Sequence, residues 1–74
     1  MNLSGRYLVI LGPNTNQWWV YDDENDVYID PPTVVLDTLA KHPFDEQEAV
    51  FEGIVADEPD WLNDKDHWYK ELEP

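Results

Sequence analysis

The chain has no cysteine and very little positive charge. Without cysteine it has neither a disulfide to staple a small fold nor a thiolate metal site, and a reducing compartment suits it. Four Lys and Arg stand against seventeen Asp and Glu, a formal net charge of −13 on 74 residues. A surface so poor in cations repels phosphate, which argues against direct binding to nucleic acid or anionic membranes. Long apolar runs are also missing. The first, Tyr7 to Leu11, falls far short of the ~20 residues that a transmembrane helix needs. With Arg6 as the only charge before it, it makes no convincing secretory signal either. Asn2-Leu3-Ser4 spells a glycosylation acceptor, and without such a signal it reads as chance.

What the chain does have is acid and aromatic side chains. Ten Trp, Tyr and Phe accompany the seventeen acids. A domain this small buries only about 60% of its unfolded surface, and like-charge repulsion works against its compact state. The same charge favours solubility and fast encounter with basic surfaces. The acids are unevenly placed: the first 21 residues contain none of them, and the following 53 contain all seventeen. That asymmetry favours a partner-directed surface over the even spread of a salt-adapted protein, although a core strand region also lacks charge by necessity.

The hydrophobic pattern predicts an α+β domain. Arg6-Tyr7-Leu8-Val9-Ile10-Leu11 is an unbroken run rich in β-formers, and reads as a strand buried on both faces or nearly so. Gly12 to Asn16 supplies turn residues. Gln17-Trp18-Trp19-Val20-Tyr21 and Asp26-Val27-Tyr28-Ile29 flank the polar loop Asp22 to Asn25 and read as a hairpin. The three strands form an antiparallel meander. Pro31-Pro32 then changes the period, and Val35, Leu36, Leu39 and Ala40 make one helical stripe, with Pro32 at the first helical position. His42-Pro43 stops this helix. Asp45 followed by Glu48 spells a capping box, with Phe44 before it as a staple, and opens a second short helix through Val50, Phe51, Ile54 and Val55. Gly53 leaves open an early stop with a short strand after it.

The pattern divides the chain into a compact domain over 1–57 and an acidic tail over 58–74. Seven of the last eighteen residues are acidic. Trp61, Leu62, Trp68, Tyr69 and Leu72 nonetheless fall at amphipathic helical spacing, so the tail either packs or stays partly mobile and folds on a partner. On the second reading, cutting after Asp57 leaves the domain intact.

Chemistry is thinly represented. His42 and His67 have no nucleophile motif around them, so no catalytic residues are assigned. Asp22, Glu24, Asp26 and Asp30 alternate like calcium ligands, but an EF-hand loop starting at Asp22 needs glycine and glutamate where Val27 and Thr33 stand. No metal site or cofactor is expected. Trp18 and Trp19 point to opposite faces of one strand, and a meander backed by two helices covers one face well. One of these rings, or Tyr7 or Tyr28 beside them, is therefore expected at the surface.

Acids beside aromatics suggest an interaction hot spot, against the plainer reading of an aromatic core. Two clusters qualify: Asp22, Asp23, Glu24 and Asp26 beside Tyr7, Trp19 and Tyr21, and Glu46, Glu48 and Glu52 around Phe44 and Phe51. The hairpin acids are expected to have no duty beyond closing a turn, and the helix acids to serve the helix dipole as well.

The opening MNLSGRYLVILG, the 74-residue length and the acidic tail together resemble the small transcription regulators of Xanthomonas lytic phages. The resemblance implies a monomer in the host cytoplasm that binds bacterial RNA polymerase, inhibits initiation at host promoters and promotes read-through of intrinsic terminators. Other small acidic phage proteins, including DNA mimics and anti-CRISPR inhibitors, share this composition.

Overall fold

A computed structural model of the protein describes residues 5–13 and 16–72. The Asn2-Leu3-Ser4 motif, residues 14–15 of the first turn and residues 73–74 lie outside that description. The architecture is α+β, an antiparallel meander followed by two helices, with a short fourth strand that the sequence pattern does not announce. Strands β1 (Tyr7–Leu11), β2 (Trp18–Asp22) and β3 (Val27–Ile29) lie side by side in chain order. Val9 stands opposite Val20, and Val20 opposite Ile29. This register turns Tyr7, Trp18, Val20, Val27 and Ile29 to one face, where they form the core with Val35, Leu39, Phe51, Val55 and Leu62.

β1 differs from expectation. It pairs with β2 alone at one edge of the sheet, and because the helices pack on one face only, Leu8 on the other is 55% exposed. An unbroken apolar run does not distinguish a central strand from an edge strand whose outer face stays apolar.

Helix α1 (Thr33–Ala40) starts one residue beyond Pro32, whose carbonyl accepts from the Val35 and Leu36 backbone N–H groups. Val35 and Leu39 are its buried stripe, whereas Ala40 faces solvent. Helix α2 (Phe44–Ala56) begins earlier than the capping box predicts. Pro43 takes the cap position with no side-chain cap bond, which moves Asp45 into the first turn. Phe44 stacks on Trp18, with centroids 6.2 Å apart, in place of a staple. α2 also runs through Gly53 to its end, and a Cβ there meets nothing within 4 Å.

The final segment is neither an amphipathic helix nor a separate tail. Two 3-10 turns, Asp60–Asn63 and Lys65–His67, lead into β4 (Trp68–Tyr69), which pairs with β3. The Asp64 carboxylate accepts from the Asp66 N–H, and a side chain bonding its own backbone competes with continuous helix. Leu62 is 1% exposed, Trp61 stacks on Phe51, and the Trp68 indole N–H donates to the Leu62 carbonyl. His67, expected on a polar helix face, is also tied in: its Nδ1 lies 2.8 Å from the Asp30 carbonyl, and the Asp30 N–H donates to the His67 carbonyl. Among the described residues no helix is long and apolar enough to cross a membrane.

Three stability outcomes are expected, all read by chemical denaturation. Leu62→Ala is expected to cost about 2–5 kcal/mol, as buried leucine truncations do, and cutting after Asp57 to abolish the cooperative transition. An intact transition in the truncated chain restores the separable tail. Gly53→Ala is expected to stabilise the protein by about 0.5–1 kcal/mol, because α2 gains propensity without a clash.

Candidate protein-interaction surface

The β2–β3 hairpin is organised around one buried carboxylate. Asp22 ends β2 with no exposed surface. Arg6 grips it in a two-pronged bond, Nε to Oδ1 at 3.0 Å and Nη2 to Oδ2 at 3.1 Å. The Glu24 backbone N–H and the Asn25 side-chain amide complete the shell, at 3.0 and 2.8 Å. Burial alone pushes the Asp22 carboxyl pKa up, but the bonds from Arg6, Asn25 and Glu24 outweigh it and hold the group below its ordinary value. The Asp26 N–H donates to the Asp22 carbonyl, and Asp26 takes a left-handed conformation, φ 55°. Short polar side chains tolerate that region better than most.

The Tyr21 hydroxyl donates to Asp26 Oδ1 at 2.6 Å. That bond, with some desolvation and the nearby charges of Asp26 and Asp23, pushes the Tyr21 phenol up to about 12. The loop thus holds Asp23 and Asp26 outward at the end of the sheet, beside the Tyr21 ring.

The twelve residues expected at an interface divide sharply. Tyr7, Trp19, Asp22 and Phe51 are buried and form no part of the surface. Tyr7 and Phe51 belong to the core, and Trp19 is sealed by Tyr69, whose ring meets it edge-on at 5.6 Å. Trp18 is buried too, so of the rings expected at the surface neither tryptophan nor Tyr7 reaches it, while Tyr28 is partly exposed. β4 covers the second face at that point. Asp22 serves the fold, and Glu24, whose carboxylate lies 3.5 Å from Arg6 Nη1, supports the same pair. The hairpin acids therefore do more than close a turn.

Asp23, Glu24, Asp26, Phe44, Glu46 and Glu48 are exposed, while Tyr21 and Glu52 are half-buried. They do not make one patch. Phe44 stacks on Trp18 at one end of β2, and the hairpin acids flank the other end, roughly 13 Å away along the strand. Glu58, beyond the end of α2, is the helix-side acid whose charge reaches Tyr7, at the hairpin end.

Spacing arguments missed a line of residues on the sheet's outer face. Leu8, Tyr21, Tyr28 and Tyr69 stand opposite one another across all four strands. The alternation of Tyr28 with Val27 and Ile29 was the available signal for β3, whereas Tyr69 was hidden by the helical spacing of the final segment.

Elsewhere, α1 and β2 border an open groove of about 220 Å³ lined in part by Trp18, Leu36, Leu39 and Gln47. The Trp18 indole N–H donates to Gln47, and Gln47 donates to the His42 carbonyl. Among the described residues no group of three or more His, Asp or Glu is placed to hold a metal ion. No protein-family model, curated protein or solved structure matches the chain.

Asp22→Ala is expected to lower stability by about 3 kcal/mol. This is the low end for a broken buried pair, because the Arg6 side chain is 31% exposed and regains water. Asp22→Asn tests the charge itself. A carboxyl depressed in the folded state stabilises it above the unfolded pKa of about 4 and loses that contribution as pH falls through the lower folded value. The gap between wild type and Asp22→Asn, followed by denaturation at several pH values, is expected to be widest near neutrality and to shrink in acid. A gap independent of pH removes the charge from the account.

Proposed function

We propose that this protein is a non-catalytic regulator that binds bacterial host RNA polymerase, inhibiting initiation at host promoters and promoting read-through of intrinsic terminators. It acts in the host cytoplasm as a monomer, without a cofactor. The observation that carries the reading is the outward display of charge. Of the sixteen acids among the described residues, thirteen are exposed, and the buried one is neutralised by Arg6. Such an array is available to a partner and is steered to a basic one. Polymerase surfaces that hold DNA and RNA must neutralise phosphate and are therefore basic. The resemblance of the opening MNLSGRYLVILG, the length and the acidic final segment to phage transcription regulators supplies polymerase as the particular partner.

The test is transcription in vitro with purified bacterial RNA polymerase, on a template carrying a promoter and an intrinsic terminator. Added protein is expected to reduce initiation and increase read-through. If both are unchanged, the reading falls. Capture from lysate of a CRISPR effector or a nucleoid protein instead of polymerase moves the protein to the DNA-mimic class. Failure to fold in dilute buffer makes its charge a salt adaptation.

Binding is expected to be steered electrostatically. The screening length falls from about 10 Å at 0.1 M salt to about 3 Å at 1 M. Stopped-flow association with polymerase is expected to slow steeply across that range while dissociation changes less. An association rate indifferent to salt contradicts steering.

A further inference from the structure

The sheet has two faces, and the helices cover only one. On the other, Leu8 stands opposite Tyr21, Tyr21 opposite Tyr28, and Tyr28 opposite Tyr69. Ile10 and Trp19 form a second pair on the same face. An antiparallel sheet that turns one face to water ordinarily carries polar side chains there. Here those six positions are apolar or aromatic. Tyr69 and its neighbours seal Trp19, but Leu8 is 55% and Tyr69 39% exposed, with Tyr21 and Tyr28 half-buried between them. Tyr21 and Tyr28 lean on each other with centroids 5.1 Å apart, so the face is a continuous platform. Asp23 and Asp26 flank its hairpin end.

We propose that this outer face is the docking surface for an arginine-bearing protein surface, whose guanidinium groups lie on the tyrosine rings and bond to the hairpin carboxylates. The proposal rests on the reading of the protein as a ligand of a basic macromolecule, and it names the face and the recognition chemistry.

Three observations select this occupant. A second copy is opposed by the net charge of −13, since each copy carries the same excess of negative charge. Bases of a nucleic acid also stack on aromatic platforms, but their phosphates meet a carboxylate rim where a binding groove needs cations. The chain itself already contains the proposed pairing. Arg6 places its guanidinium carbon 4.9 Å from the Tyr7 ring centroid while Asp22 grips its nitrogens. A planar, delocalised cation serves ring and carboxylate at once, which a compact ammonium does less well.

The experiment has two arms. In the first, the labelled wild-type protein is titrated with a nonaarginine peptide and with nonalysine, and followed by NMR. Shift changes centred on Leu8, Tyr21, Tyr28 and Tyr69, saturating at lower nonaarginine than nonalysine concentration, are expected. Changes centred on the acids of α2, or spread evenly over all acids, overturn the proposal, as does equal saturation by the two peptides.

The second arm measures binding to RNA polymerase. The double variant Leu8→Ser/Tyr28→Ser, with its melt checked, is expected to bind about tenfold more weakly. Glu46→Gln/Glu48→Gln is expected to bind within about threefold of wild type, as rim charges on the opposite side do. The reverse order of effects overturns the proposed face. If wild-type protein binds no polymerase, the proposed function fails, and the peptide arm alone decides the face.

Discussion

Two adjacent tryptophans in one strand dictate most of this structure. Trp18 and Trp19 leave β2 in opposite directions, so burying both requires material on each face of the sheet. The helices answer for Trp18, with Phe44 stacked on its ring, Phe51 edge-on to it and Gln47 accepting its indole N–H. The far face has no helix. It is reached by the chain returning through two 3-10 turns to lay β4 beside β3, which brings Tyr69 against Trp19. The final segment is thus part of the fold because β2 needs it there.

Charge imposes the second constraint. With so few cations, a buried carboxylate is affordable only where a cation is committed to it, and Arg6 is committed to Asp22. The pair joins the entry to β1 to the end of β2 and fixes the hairpin loop through the Glu24 and Asn25 bonds. Lys65 is engaged differently, over the Trp68 ring at 5.9 Å. Most of the remaining acids face solvent, where water and salt moderate their repulsion. The hairpin therefore has an inner carboxylate, Asp22, that holds the fold and outer carboxylates, Asp23 and Asp26, that face solvent within the next four residues.

Much of this was legible in the sequence, and the failures share a cause. An apolar run, alternation at Val27–Ile29 and the turn residues between them located three strands, and the i, i+4 pairs Val35–Leu39 and Phe51–Val55 located both helices, because these signals are local. The capping box failed because Pro43 takes the cap position and Phe44 turns to Trp18, 26 residues away in sequence, where a local pattern cannot point. The final segment failed because Trp61, Trp68 and Tyr69 satisfy helical spacing while two side chains act otherwise: the Asp64 carboxylate accepts from the Asp66 backbone N–H in a local turn, and the His67 imidazole bonds the Asp30 carbonyl. At the surface, Asp23, Asp26 and Glu46 of the expected clusters are exposed. Trp19 and Asp22 were not, since the partners that bury them, Tyr69 and Arg6, come from distant sequence. A cluster of letters does not reveal which member turns inward.

The order of the strands has a consequence for biosynthesis. Tyr69 leaves the ribosome fifty residues after Trp19. At translation rates of about 5–20 residues per second, the nascent hairpin spends roughly 3–10 s with its far face uncovered. During that interval an indole and two tyrosines sit on an unfinished sheet whose β3 edge has no partner, the kind of template on which strands from neighbouring chains pair. The acids made in the meantime, from Asp22 onward, accumulate negative charge on every emerging chain and keep such intermediates apart. The same net negative charge that the finished protein displays is thus already present while its sheet is incomplete.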